Sequence, residues 1–242
     1  MHLYEHNAAF ILPVFEYDDE QNDYRKITFQ PYDSVFWATS PTLVRTAAQE
    51  KDREFFSQYR TLTGSTRINT NKPLFESNYA WWSPDKRISL KQLPSDAADK
   101  SPVPDIRSKG VAVPASRVNL EAQIYLNVDT LNGSTRHFSA TVLDGFRSYY
   151  RLPEEPHSDV FLNIFFDLCE LERMALEAKL LKTASEIARI RVLHTEAVAN
   201  MHRNTALYLK ETQLGKDERA LTRWNNRVKE LLGIDNIALF KL

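Results

Sequence analysis

The chain has 242 residues, 43% of them apolar and 11% aromatic, which is enough to fill a core and excludes wholesale disorder. Lys and Arg number 31 against 32 Asp and Glu, a net charge of −1, so an all-over basic surface for nucleic acid is excluded and any anion-binding face must be local. The single cysteine, Cys169, excludes an internal disulfide and a cysteine-based zinc framework.

Charge is unevenly placed. Residues 1–30 carry six acids and two bases, whereas residues 201–242 carry eight bases and five acids. No run approaches the roughly 18 apolar residues of a membrane span. The opening Met1-His2-Leu3-Tyr4-Glu5-His6 lacks the pattern of a secretion signal, so a cytoplasmic protein without membrane contact is expected.

In chain order, residues 8–17 read as a strand, and Pro13 places it at an edge or a bulge because proline cannot donate to a ladder. Residues 18–23 form a polar turn, and Tyr24–Gln30 returns as a second strand. Ser40 then caps a helix whose first position suits Pro41. Val44, Ala48, Phe55, Tyr59 and Leu62 share a side of that helix, and Gly64 ends it. Sixteen of the 27 aromatics lie in residues 1–82, chiefly as core filling, with the Trp81-Trp82 pair turning one ring each way. Five of eleven prolines fall in residues 83–116. Residues 94–116 therefore read as a linker or loop between a region at 1–93 and a region at 117–242.

From Val118 to Val128 every even position is apolar, while Asn119, Glu121, Gln123, Tyr125 and Asn127 alternate with them. This period of two predicts a strand with one buried face and one wet or partner-facing face. Asn132-Gly133 marks a tight turn into a short return strand. A helix is expected from Ser139 to Arg151, with Val142, Leu143, Phe146 and Tyr150 on one side and Pro153 after it. His157 to Leu214 contains neither Gly nor Pro, and Ser158 caps an amphipathic helix there. Thr183-Ala184-Ser185-Glu186 fits a capping box, so one kinked helix or two are both open. A last helix runs from Asp217 to Leu232, with Leu221, Trp224, Val228 and Leu231 inward and Gly233 as its stop. The fold class is α+β: an aromatic-rich N-terminal β/α part, a central strand-helix-helix and a largely helical last third.

Enzyme signatures are mostly missing: no P-loop, dinucleotide fingerprint, nucleophile elbow or His-Glu-x-x-His occurs, and no cofactor or metal is implied. Pro104-Asp105 followed by Glu121-Ala122-Gln123 resembles a degenerate PD-(D/E)xK nuclease pattern, with Gln123 where the lysine would stand. Thr61–Arg67 and Thr130–Arg136 match at six of seven positions. Their shared Gly-Ser-Thr-Arg could clamp a phosphate, which makes Ser65, Arg67 and Arg136 candidates, although turns draw on a small alphabet. Arg219, Arg223 and Arg227 recur every fourth residue away from the apolar stripe, either as a phosphate-tracking row or as a solvated face.

The order strand (118–128), helix (139–151) and helix from Ser158 resembles a ribbon-helix-helix module. The resemblance implies a dimer on double-stranded DNA, with Asn119, Gln123, Tyr125 and Asn127 reading bases in the major groove and Ser158 near a phosphate. In its length, aromatic-rich front and helical end the chain also looks like AcaB-type transcriptional activators of conjugative plasmids and integrative elements, which implies a DNA-binding activator of transfer genes. The rival is a non-enzymatic, homo-oligomeric scaffold or interaction protein of a phage or mobile element. Both readings expect a homodimer or a higher homo-oligomer.

Overall fold

The computed structural model describes residues 3–18, 23–49, 51, 79–90, 93, 107–108, 111–112, 118–131, 134–145, 147–152, 155–182 and 186–241. Strands β1 (Tyr4–Asp18) and β2 (Asp23–Ala38) pair antiparallel along their whole length, from Tyr4 opposite Ala38 to Asp18 opposite Asp23, with a register shift at Glu16/Tyr17. Helix α1 (residues 41–49) follows, and the Ser40 hydroxyl accepts from the Leu43 amide at 3.3 Å, as its cap position predicts. The predicted continuation of this helix to Gly64 lies outside the described residues, except that residue 51 is helical.

Further strands are β3 (Tyr79–Trp81), β4 (Arg107–Ser108), β5 (Val111–Ala112), β6 (Val118–Asn119), β7 (Ala122–Leu131), β8 (Ser134–Asp144) and β9 (Tyr149–Tyr150). A five-stranded sheet has the order β1-β2-β7-β8-β3, and two small ladders join β4 to β5 and β6 to β9. Pro13 therefore sits on a strand at the edge of the sheet among the described residues, the position where a proline is tolerated. Pairing of β2 with β7 starts at Tyr32 opposite Leu131, the last residue of β7, so residues 23–31 of β2 run past the end of β7. The helices are α2 (Ser158–Leu180), α3 (Ile187–Glu211), α4 (Glu218–Leu232) and the single turn α5 (Asn236–Leu239). Residues 157–214 thus hold two helices. None of the described helices is long and apolar enough to cross a membrane.

The α+β class stands, but the strand-helix-helix order does not. Residues 134–144 form an 11-residue strand where a short return strand and a helix from Ser139 are predicted. The 122–131 strand needs a ladder partner on this side, and that demand outweighs the helical spacing of Val142, Leu143 and Tyr150. A turn closed by the Asp144 carbonyl, which accepts from Ser148 N at 2.9 Å, leads into β9. The same turn interrupts the expected 118–128 strand. Glu121 gives its carbonyl to Asp144 N at 2.8 Å and its amide to the Ser148 hydroxyl at 3.0 Å, so residues 120–121 leave the ladder.

Contacts divide the chain into two units, each assembled from separated stretches of sequence. The first comprises Met1–Ser77, Tyr125–Ser139 and Thr183–Arg191, and the second comprises Asn78–Ile124, Ala140–Lys182 and Val192–Leu242. In the second unit α2 is the central element, with Ser158 and every residue from Val160 to Glu170 buried. A helix buried all round in its first half is a core helix, and its polar residues must find partners inside. Phe161 stacks on Tyr208 at 5.4 Å, and Trp224 meets Tyr208 edge-on at 5.6 Å. Asp167 is fully buried and accepts from Arg87 at 2.8 Å, Trp82 Nε1 at 2.7 Å and Asn236 Nδ2 at 2.7 Å. One turn earlier, Asn163 brackets Ile88, accepting from its amide at 2.9 Å and donating to its carbonyl at 2.6 Å.

The α3–α4 connection carries three successive left-handed residues, Gln213, Leu214 and Gly215, with φ of 49°, 59° and 93°. A Cβ on Gly215 would stand 3.0 Å from Phe161 Cγ, whereas at Gly233 (φ 74°), the α4 C-cap, it would meet nothing within 4 Å. Gly233→Ala should therefore cost only the left-handed penalty of about 1 kcal/mol. Gly215→Ala adds overpacking against a buried ring and should cost about 2–4 kcal/mol in urea denaturation. Equal losses in the two variants would refute the packing argument.

Candidate interaction site

Three of the four predicted base-reading residues are interior. Gln123, Tyr125 and Asn127 are 2%, 6% and 7% exposed, and every β7 residue from Ala122 to Val128 is buried. A base edge cannot reach side chains so placed, so base readout from this strand is corrected to an internal role. Asn127 donates to the Val35 carbonyl at 3.2 Å and accepts from Lys51 Nζ at 2.9 Å. Lys51 also bonds Asp129, which accepts from the Ser34 hydroxyl as well. Burial works to raise the Asp129 carboxyl, but hydrogen bonds from Lys51, Ser34 and Tyr32 hold it below the ordinary carboxylate value. The alternation signalled one wet face. In the first unit, Lys51 just beyond α1 takes the place of that water.

Asn119 is half-buried and donates to the Arg147 carbonyl at 2.6 Å. Ser158 is 1% exposed, and its hydroxyl accepts from Glu155 N at 2.9 Å and shares a 3.2 Å hydrogen bond with Tyr150. The N-cap residue of α2 is His157, so Ser158 is neither the cap nor open to a phosphate. Glu121 pairs with Arg147 at 3.6 Å, while Asp105, Ser65 and Arg67 lie outside the described residues. Arg136 is exposed at the start of β8.

Arg219, Arg223 and Arg227 are all exposed, as their spacing predicts. Asp217 caps α4 by accepting from Ala220 N at 2.9 Å, and Ala220, Leu221, Trp224 and Val228 turn inward. Beside this row opens a groove of about 270 Å³, floored by Leu168, Leu171 and Trp224 and rimmed by Leu231, Arg227 and the Glu172–Asn204 pair. The Trp224 indole is fixed by donating to Glu211 at 2.9 Å, and the Arg227 guanidinium lies 5.3 Å from its ring centroid. Among the described residues the three arginines form no ion pair. Leu231 is 53% exposed although its spacing places it inward, and that exposure opens the groove. The arrangement suits a segment that brings an apolar side chain and negative charge together.

His194 shows the opposite economy. It is fully buried in the second unit with Nε2 2.7 Å from the Ile124 carbonyl, which fits the neutral tautomer donating there. Burial pushes its pKa down to about 4, against the ordinary 6.5. The unfolded chain therefore takes up the proton first as pH falls. The contribution is whole above pH 6.5, declines from 6.5 to about 4, and is lost below that. Wild type should lose about 2 kcal/mol more than His194→Gln between about pH 7 and 4.5 in denaturant titrations. Parallel losses would mean that the histidine is not the group responsible. No protein-family model, curated protein or solved structure matches this chain.

Proposed function

We propose that the chain is a non-enzymatic interaction protein that assembles with itself, its helical unit presenting the groove beside α4 as the docking face. The observation that carries this reading is the pairing of an exposed apolar rim, Leu231, with a preorganised guanidinium, Arg227, that has no anionic partner among the described residues. A row of unpaired charge beside an apolar floor is how protein interfaces combine steering with burial. The interior position of Gln123, Tyr125 and Asn127 removes the support for sequence-specific readout by a strand.

A DNA-binding regulator, as the family resemblance implies, is the second reading, and the arginine row is what favours it. Residues four apart on a helix rise about 6 Å, comparable with phosphate spacing along a strand. Sedimentation velocity over a concentration series, run beside fluorescence anisotropy with duplex DNA at about 50 and 200 mM salt, separates the two. The assembly reading expects association that grows with protein concentration and no steeply salt-dependent DNA affinity. A protein that stays monomeric and loses DNA affinity by about tenfold or more across that salt range would overturn it in favour of the regulator.

A further inference from the structure

The second half of α2 leaves the core that its first half forms. Leu171, Met174, Ala175, Ala178 and Leu181 lie on one side of it, at positions i, i+3, i+4, i+7 and i+10. Ala175 and Ala178 are exposed and Met174 is 44% exposed. Leu181, at 76%, is the most exposed large apolar side chain among the described residues. Leu171 also belongs to the floor of the groove beside α4, so the stripe continues that surface along α2. The right-handed helical conformation of Leu181 carries the helical path past Leu180 to Lys182.

Two opposite charges border the stripe. Glu172 is half-buried and accepts from the Asn204 amide, Lys182 is exposed, and neither forms an ion pair among the described residues. Ten residues apart, they stand about 15 Å from each other along the helix and cannot meet within one copy. The symmetry of the face identifies a second copy as its occupant. Leu171 and Leu181 centre on Leu176, Ala175 and Ala178 on the point between Leu176 and Glu177, and Glu172 and Lys182 on Glu177. A face whose large apolar residues, small residues and opposite charges share one midpoint complements itself about a two-fold axis. We propose that two copies pair antiparallel through the second half of α2, with the axis midway between Ala175 and Ala178. Ala175 of each copy then lies level with Ala178 of the other, and such small side chains let helices approach to about 8 Å. At a rise of about 1.5 Å per residue, Lys182 of each copy stands within about 2 Å of level with Glu172 of the other. On the opposite flank Met174 comes within about 3 Å of level with Leu181 of the other copy. Lys179, 3.9 Å from Glu196, lies on the flank of Glu172 and adds to the positive charge that the other copy's Glu172 meets. This inference rests on the assembly reading and gives it a closed symmetry. The contact is isologous, so association through it ends at a dimer.

Charge reversal in the full chain tests it. Lys182→Glu and, separately, Glu172→Lys should each weaken dimerisation about tenfold in sedimentation velocity over a concentration series. Mixed in equal amounts the two variants should dimerise as the wild type does, because each altered charge then meets its opposite. Ala178→Arg, which holds the helices apart at their crossing, should weaken dimerisation at least as much. Lys182→Glu and Ala178→Arg change exposed side chains, so their melting temperatures in dilute solution should match the wild type, and they decide the question if Glu172→Lys fails to fold. Wild-type association that ignores Lys182→Glu and Ala178→Arg would overturn this contact and leave the assembly reading standing. Failure of the mixture to recover, with both single variants folded, would overturn the pairing of Glu172 with Lys182. A wild type that grows beyond a dimer would overturn the closed symmetry, and one that stays monomeric throughout would overturn the assembly reading as well.

Discussion

A strand buried on both faces must supply internal partners for every polar side chain it carries, and β7 is such a strand from Ala122 to Val128. Asn127 satisfies that demand with partners 76 and 92 residues away in sequence, Lys51 and the Val35 carbonyl. Lys51 is itself held by Asp129, so the amide, the ammonium and the carboxylate form one set in which no member can be removed alone without leaving a neighbour unsatisfied. The functional consequence is direct. Polar alternation along β7 is consumed by folding, and nothing of it remains for a ligand.

The second unit follows the same rule with charge. Arg87 and Asp167, with side chains 14% and 0% exposed, form a pair whose separation would strand a buried ion, a loss of about 3–5 kcal/mol. Trp82 and Asn236 share the same carboxylate, so the segment around residues 82–88 and the terminal turn α5 are fixed to α2 through one side chain. Arg173 is likewise committed to Glu170, Arg147 to Glu121 and, in the first unit, Arg191 to Glu5. The three α4 arginines form no ion pair among the described residues and lie in one row beside an apolar groove. Function is sought where the fold leaves chemistry unspent, and the groove beside α4 is such a place.

The helical elements were legible because their signals are local. The Asp217 cap, the inward Leu221-Trp224-Val228 stripe and the Gly233 stop each lie within a turn of the feature they specify. Ser40 and the edge position of Pro13 were legible for the same reason. The stretch at 134–144 was not, because its strand state is imposed by β7 and not by its own residues. The Lys51–Asp129–Ser34 set was missed, since no local spacing joins residues 34, 51 and 129. Of the candidate site residues, the arginine row needed only helical periodicity to be placed correctly. The strand readers needed knowledge of what covers the strand. The groove itself depends on the convergence of three helices, and one residue type at one spacing cannot announce that.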